Sequence, residues 1–287
     1  MSRIFPVLRT SCFHNPTVIF SSPTPNIYTT TKCSLNIPKE KKKRKKTNQN
    51  NSGKVSPTTV DIDMNWRQSL GQRFNWGGIV EVLGGGGGAE TGRLAIPHLS
   101  VPDIRWIDWK ELERLGFRGV VFDKDNTLTA PYSLSLWPIL SHSLRQCQLA
   151  FPGRVAIFSN SAGLYEYDPD GSHAKALEES IGGVHVIRHG IKKPAGSAED
   201  IEKYFGCAAS HVIMVGDRHF TDIIYGNQNG LLTILTEPLS LSQEPFIIQQ
   251  VRKLENYLVT RWHQQGLKPP NHSLLQENMQ CIKAPDL

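Results

Sequence analysis

The sequence predicts an α/β protein built on a doubly wound, mainly parallel sheet. Three observations carry that expectation: short apolar runs alternate with stretches of helical periodicity from about residue 107, the alternation persists to about residue 261, and polar residues cluster directly after the apolar runs. Strand and helix in turn build a parallel sheet with helices on its faces, and such sheets bind ligands at the carboxyl ends of their strands.

Taken in order, residues 107–115 read as a helix closed by Gly116, because a residue without Cβ tolerates the conformation that ends helices. Residues 119–122 read as the first strand, followed by a helix over 138–149, a strand over 154–158, a helix over 174–180 and a strand over 184–187. The series continues with a helix over 196–205, a strand over 211–215, a helix over 222–228, a strand over 231–235 and a last helix over 244–261. Upstream, residues 62–83 place Trp66, Phe74, Trp76 and several aliphatic residues near helical spacing, with Arg67 and Arg73 among them. Two readings compete there: a helix packed on the core, or an interfacial segment with its aromatic rings at the edge of a lipid layer. The five glycines from Gly84 to Gly88 leave the backbone too free for a regular element.

A chain of 287 residues, 39% hydrophobic and 20% charged, suffices for one core domain with appendages or two small domains. A mean hydropathy of −0.33 argues against a polytopic membrane protein, and no run reaches the roughly 18 apolar residues a spanning helix needs. The cysteines Cys12, Cys33, Cys147, Cys207 and Cys281 are odd in number, scattered and never spaced as CxxC, which speaks against a disulfide framework or a zinc knuckle. The formal charge of +6 belongs to the leader: residues 1–60 hold 11 of the 32 Lys and Arg but only Glu40 of the 26 acids, so the remainder is mildly acidic. Residues 1–38 contain no acid and many Ser and Thr, the composition of an organelle transit peptide. The run Lys41-Lys42-Lys43-Arg44-Lys45-Lys46 reads as a solvated stretch or, alternatively, as a nuclear address or nucleic-acid patch. The expected organisation is a leader and basic linker over 1–60, an aromatic segment with the glycine tract over 61–93, a catalytic domain over 94–262, and a tail over 263–287.

The chemistry sits at the strand ends. The strand 119–122 runs into Asp123-Lys124-Asp125-Asn126-Thr127, and alternation along an extended chain points Asp123 and Asp125 the same way. Two carboxylates so placed repel unless a divalent cation or a shared proton lies between them. The strand 154–158 delivers Ser159-Asn160-Ser161, hydroxyl and amide groups suited to a phosphate oxygen. Residues 188–194 supply Lys192 and Lys193, and the strand 211–215 leads to Gly216-Asp217-Arg218 and Thr221-Asp222. His98, His185, His189 and His219 lack the spacing of a metal-binding pair.

This ordered set resembles the four motifs of the haloacid dehalogenase superfamily of phosphatases: DxDxT, a Ser or Thr after the second strand, a Lys before Pro, and GDxxxxD. The fuller wording is similar to the mitochondrial and plastid phosphatidylglycerophosphate phosphatase family. That wording comprises Val121 to Thr129 with Asn126 where many relatives have Gly, Pro97-His98-Leu99, Lys192-Lys193-Pro194, and Gly216-Asp217-Arg218 with Thr221-Asp222. The resemblance implies a haloacid dehalogenase-like core in which Asp123 is the nucleophile that becomes an acyl phosphate and Asp125 the general acid and base. It implies Lys193, with Lys192 as the alternative, neutralising the transferring group. Mg²⁺ would be held by Asp123, the Asp125 carbonyl and Asp217, with Asp222 as an outer ligand or an orienting group. Ser159 and the amides around Asn126 and Asn160 would hold phosphoryl oxygens, with Thr127 in the same loop.

About 30 residues separate Thr127 from Ser159, and about as many separate Asn160 from Lys192, so no large cap domain fits. An open site suits a phosphate displayed on something too large to enclose. With the family resemblance, the leading expectation is hydrolysis of phosphatidylglycerophosphate to phosphatidylglycerol and phosphate, in a plastid or mitochondrion, at the surface of an inner membrane. Trp66, Phe74 and Trp76, or the helix bearing Ile247, Val251, Leu254 and Leu258, offer membrane-facing surfaces. The rivals are an uncapped phosphatase of phosphoprotein or soluble esters, and a non-enzymatic nucleic-acid binder using residues 41–46. The acidic catalytic region speaks against nucleic acid.

Overall fold

A computed structural model describes residues 88–275 and 281–284. The expectations for the leader, the basic run and the aromatic segment up to residue 87 lie outside the described residues.

The described chain begins with α1 (Gly88–Leu94), followed by the short strand β1 (Leu99–Val101) and α2 (Trp109–Arg114). The next elements are β2 (Gly119–Phe122), α3 (Ser141–Ala150), β3 (Val155–Ile157), α4 (Ser172–Ser180) and β4 (His185–Val186). After them come α5 (Glu199–Phe205), β5 (Val212–Gly216), α6 (Ile224–Gln228), β6 (Leu232–Thr236) and the long α7 (Phe246–Gln264). The strands form one six-stranded sheet in the order β1-β6-β5-β2-β3-β4, and every pairing is parallel. The expected doubly wound sheet is thus present, and the segments between its catalytic strands are loops and single helices rather than a cap domain.

The sheet is covered on both faces. Val120, Phe122, Ile157, Ile213 and Val215 pack into one buried cluster, whereas Val121, Ala156, Val212 and Met214 pack into another. Side chains alternate across a strand, so a strand buried on both faces must be apolar at every position. That is why these strands read as continuous runs. Gly116 closes α2 as the sequence suggests, taking φ +99°, and at the other end Asp108 accepts a bond from the Glu111 amide (3.1 Å).

Four details depart from the sequence reading. Residues 107 and 108 precede α2; Ile107 instead makes an antiparallel bridge to Ile282, which with buried Cys281 fastens the end of the chain to the body. Gly88 opens a helix, and α1 packs on α7 and α6. The helix expected over 222–228 starts earlier, as a widened turn over His219–Ile223 that runs into α6. β1 was not apparent in the sequence; it pairs Leu99, Ser100 and Val101 with Ile234, Leu235 and Thr236 at the sheet edge.

Candidate active site

The strand order reverses between β2 and β5: the chain winds outward from β2 through β3 to β4, then crosses to β5 and continues outward to β6. Side chains following β2 and β5 therefore meet in the crevice where ligands bind in such sheets. Asp123 follows β2, and Asp217 and Asp222 follow β5. Their carboxylate oxygens lie within 4.8 Å of one another. Gly216 permits this meeting, because a Cβ there would stand 2.4 Å from the Asp222 Cβ.

Lys193, not Lys192, enters the site. Its buried ammonium donates to Asp123 Oδ1 (2.9 Å), Asp222 Oδ1 (2.6 Å) and the Phe158 carbonyl (2.8 Å). Lys192 lies 5.4 Å from the Tyr167 ring instead. The Asn160 side chain clamps the lysine backbone from both sides, accepting from Lys193 N (2.8 Å) and donating to Lys193 O (3.1 Å). Asp125 is held by the Lys124 ammonium (2.7 Å) and the Tyr132 amide (2.9 Å) on one oxygen and by the Ser161 hydroxyl (3.2 Å) on the other. Ser159 Oγ lies 3.0 Å from Ser161 Oγ.

Asp123, Asp125, Ser159, Asn160, Asp217 and Asp222 line one polar cavity of about 50 Å³. Asn126 and Thr127 do not. The Asn126 amide donates within its own loop to Thr129 O (2.8 Å), its side chain donates to Glu244 (2.7 Å), and it accepts from Ser240 N (2.9 Å). The Asn126 amide and side chain are thus engaged by Thr129, Glu244 and Ser240, and Thr127 Oγ1 is buried with no hydrogen-bond partner among the described residues, so neither side chain lines the cavity that the other expected site residues share.

Sequence reasoning missed a second layer of charge contributed by α7. Arg252 pairs with Asp217 and, at 2.7 Å, with Glu244, and it donates to the Asp217 carbonyl at 3.0 Å. Arg218 pairs with Glu255 at 2.5 Å. The available signal was phase: Arg252 and Glu255 fall on the same helical stripe as Ile248 and Val259, the stripe that α7 buries.

Burial sets the electrostatics. It pushes the Asp123 carboxyl up to about 7 against the pull of Lys193, and the Asp217 carboxyl up to about 6 against the pull of Arg252. Burial also disfavours the Lys193 ammonium, but Asp123 and Asp222 more than offset this and hold its pKa above the ordinary lysine value. With all groups ionised, Asp123, Asp125, Asp217, Asp222, Glu244 and Glu255 outnumber Lys124, Lys193, Arg218 and Arg252 by two charges. A divalent cation among the three clustered aspartates fits that surplus and their all-oxygen donor set.

An aspartate with an acidic partner two residues on, a buried lysine and a clustered acidic trio at the carboxyl edge of a parallel sheet match the haloacid dehalogenase arrangement that the sequence motifs lead one to expect. The family described as mitochondrial PGP phosphatase matches residues 89–240, more than half of the chain. The chain belongs to that family. Among relatives, phosphatidylglycerophosphate phosphatase 1, chloroplastic/mitochondrial, of Arabidopsis thaliana is 55% identical over 229 residues, covering 79% of this chain and 65% of the relative. Phosphatidylglycerophosphate phosphatase 1, chloroplastic, of Chlamydomonas reinhardtii is 48% identical over 203 residues, covering 71% and 74%. The mitochondrial phosphatidylglycerophosphatase of Saccharomyces cerevisiae is 31% identical over 149 residues, covering 50% and 79%. The match thus spans just under two thirds of the Arabidopsis relative's length.

Proposed function

We propose that this chain is a Mg²⁺-dependent phosphatase that hydrolyses phosphatidylglycerophosphate to phosphatidylglycerol and phosphate through an aspartyl-phosphate. The observation that carries the reading is Asp123, held by Lys193 in a site over which the described residues place no cap domain. The names of the relatives supply the lipid and the organelle, a plastid or mitochondrion.

The Asp123 carboxylate attacks phosphorus as the bond to the leaving oxygen breaks, and Asp125 delivers a proton to that oxygen. Asp125 then takes a proton from water, the water oxygen attacks phosphorus, and the bond to Asp123 breaks to release phosphate. Lys193 neutralises the nucleophile so that a dianion can approach, and it donates to the same carboxylate while charge builds there. Asp123, Asp217 and Asp222 would hold the cation, which would supply screening of the phosphoryl oxygens. Beyond Asp125 a cavity of about 230 Å³, lined by Tyr132, Leu134, Ser161 and His173, offers space for the leaving alcohol.

The test is phosphate release by purified protein lacking the leader, with and without Mg²⁺, from phosphatidylglycerophosphate, a phosphopeptide and soluble monoesters. Release from the lipid above the others supports the reading; preference for the phosphopeptide sinks it. Asp123→Asn should abolish turnover with the fold intact, and retained hydrolysis would remove Asp123 as nucleophile.

A further inference from the structure

The loops leaving the carboxyl ends of the strands share a feature the chemistry does not use. Tyr165 follows β3 and is 51% exposed, Ile191 follows β4 and is 58% exposed, and Phe246 follows β6 at the start of α7 and is 72% exposed. Tyr132 after β2 and Leu241 after β6 are also exposed. All six strands are parallel, so these loops emerge on one edge of the sheet, the edge that carries the catalytic cavity. Several contacts tie them to it. The Tyr132 amide bonds Asp125, the Leu164–His189 bridge extends the β3–β4 pairing up to Tyr165, and Leu241 borders a cavity that shares Asp217 and Arg252 with the site.

From this arrangement we infer that the apolar side chains form a docking rim that seats the mouth of the site on an anionic phospholipid bilayer. The inference rests on the lipid reading above and names the surface through which it is achieved. An apolar side chain left in water costs free energy that is recovered when it enters the acyl boundary, and tyrosine suits the interface because its ring is apolar and its hydroxyl polar. Cations accompany the rings: the Arg188 guanidinium, which also donates to the Asp168 and Pro169 carbonyls at 2.8 Å, lies 4.8 Å from the Tyr165 ring, and the Lys192 ammonium lies 5.4 Å from the Tyr167 ring. The rim consists of single side chains on separate loops around an opening. A bilayer that presents the phosphate to the site would meet loops from this same edge.

The experiment uses the full chain, vesicles of phosphatidylcholine with phosphatidylglycerol, and the triple variant Tyr165→Ser, Ile191→Ser, Phe246→Ser. Sedimentation with vesicles should weaken about tenfold, and turnover of vesicle-embedded phosphatidylglycerophosphate should fall in proportion. Hydrolysis of a monomeric short-chain phosphatidylglycerophosphate should stay at the wild-type level, which also reports that the variant folds. Leu149→Ser, at the far end of α3 on the opposite edge and 74% exposed, should sediment like wild type. The rim is overturned if the triple variant sediments as wild type does or if Leu149→Ser weakens binding as much. A wild-type dimer that the triple variant dissolves would assign the face to a second copy and overturn it too. If the wild type releases no phosphate from the short-chain lipid, the lipid reading fails, whatever the sedimentation shows.

Discussion

Lys193 is the residue on which the site turns, and its neighbour shows how little sequence spacing says about direction. Both lysines precede Pro194, yet one ammonium is sealed between Asp123 and Asp222 while the other rests near the Tyr167 ring. Removing a partner from a buried ion pair leaves an uncompensated charge. Lys193→Met should therefore abolish turnover and lower stability by about 3–5 kcal/mol in urea unfolding, whereas Lys192→Met should retain turnover. The residue types of the site were legible, because acids, hydroxyls and lysines follow apolar runs; which lysine turned inward depended on the Asn160 clamp, a contact 33 positions away. His98 yields a separate prediction. Its Nδ1 accepts from the Thr233 amide (3.1 Å), its Nε2 lies 3.0 Å from Pro270 O, and burial lowers its pKa from 6.5 to about 4. Between those values the unfolded chain binds the proton more readily, so this contribution to stability is full above about pH 6.5 and lost as pH falls toward 4. Denaturant melts across that window should show the decline in the wild type and a flatter profile in His98→Asn.

At the scale of elements, α7 buries a stripe other than its aliphatic one. The face of Ile247, Val251, Leu254 and Leu258, read from the sequence as an outward surface, leaves Ile247 and Leu254 exposed, and the buried stripe is Ile248, Arg252, Glu255 and Val259. Hydrophobic periodicity identifies the face that avoids water only when the protein interior is apolar. Here part of the interior is a charged site, and two of the four inward residues are ionic. Arg252→Met would remove the cation that Asp217 and Glu244 share, beside the carboxylate that accepts from Asn126. It should cost about 3–5 kcal/mol of stability and at least about tenfold in turnover, checked by denaturant melts and phosphate release. β1 escaped notice for a different reason. Three residues between Pro97 and Pro102 carry too little periodicity to read, and the strand exists only through its pairing with β6.

For the molecule as a whole, the surplus of two negative charges that the site carries with all groups ionised is one that a divalent cation would offset. Ligands that bind only the folded state stabilise it, so Mg²⁺ at about a hundredfold above its dissociation constant should raise Tm by several degrees, and chelation should reverse this. Asp217→Asn should blunt the rise; an unchanged response in that variant would separate the cation from the aspartate cluster. The alternation of strands and helices, the parallel sheet and the acids at its strand ends were determined by the sequence alone, because burial on both faces and the polarity of a strand end are local properties of the chain. The tertiary structure alone decided that Lys193 faces inward, that α7 supplies Arg252 and Glu255, and that Asn126 braces a loop. Each of these depends on which distant segments are brought together, and proximity across the sheet leaves no periodicity in the chain.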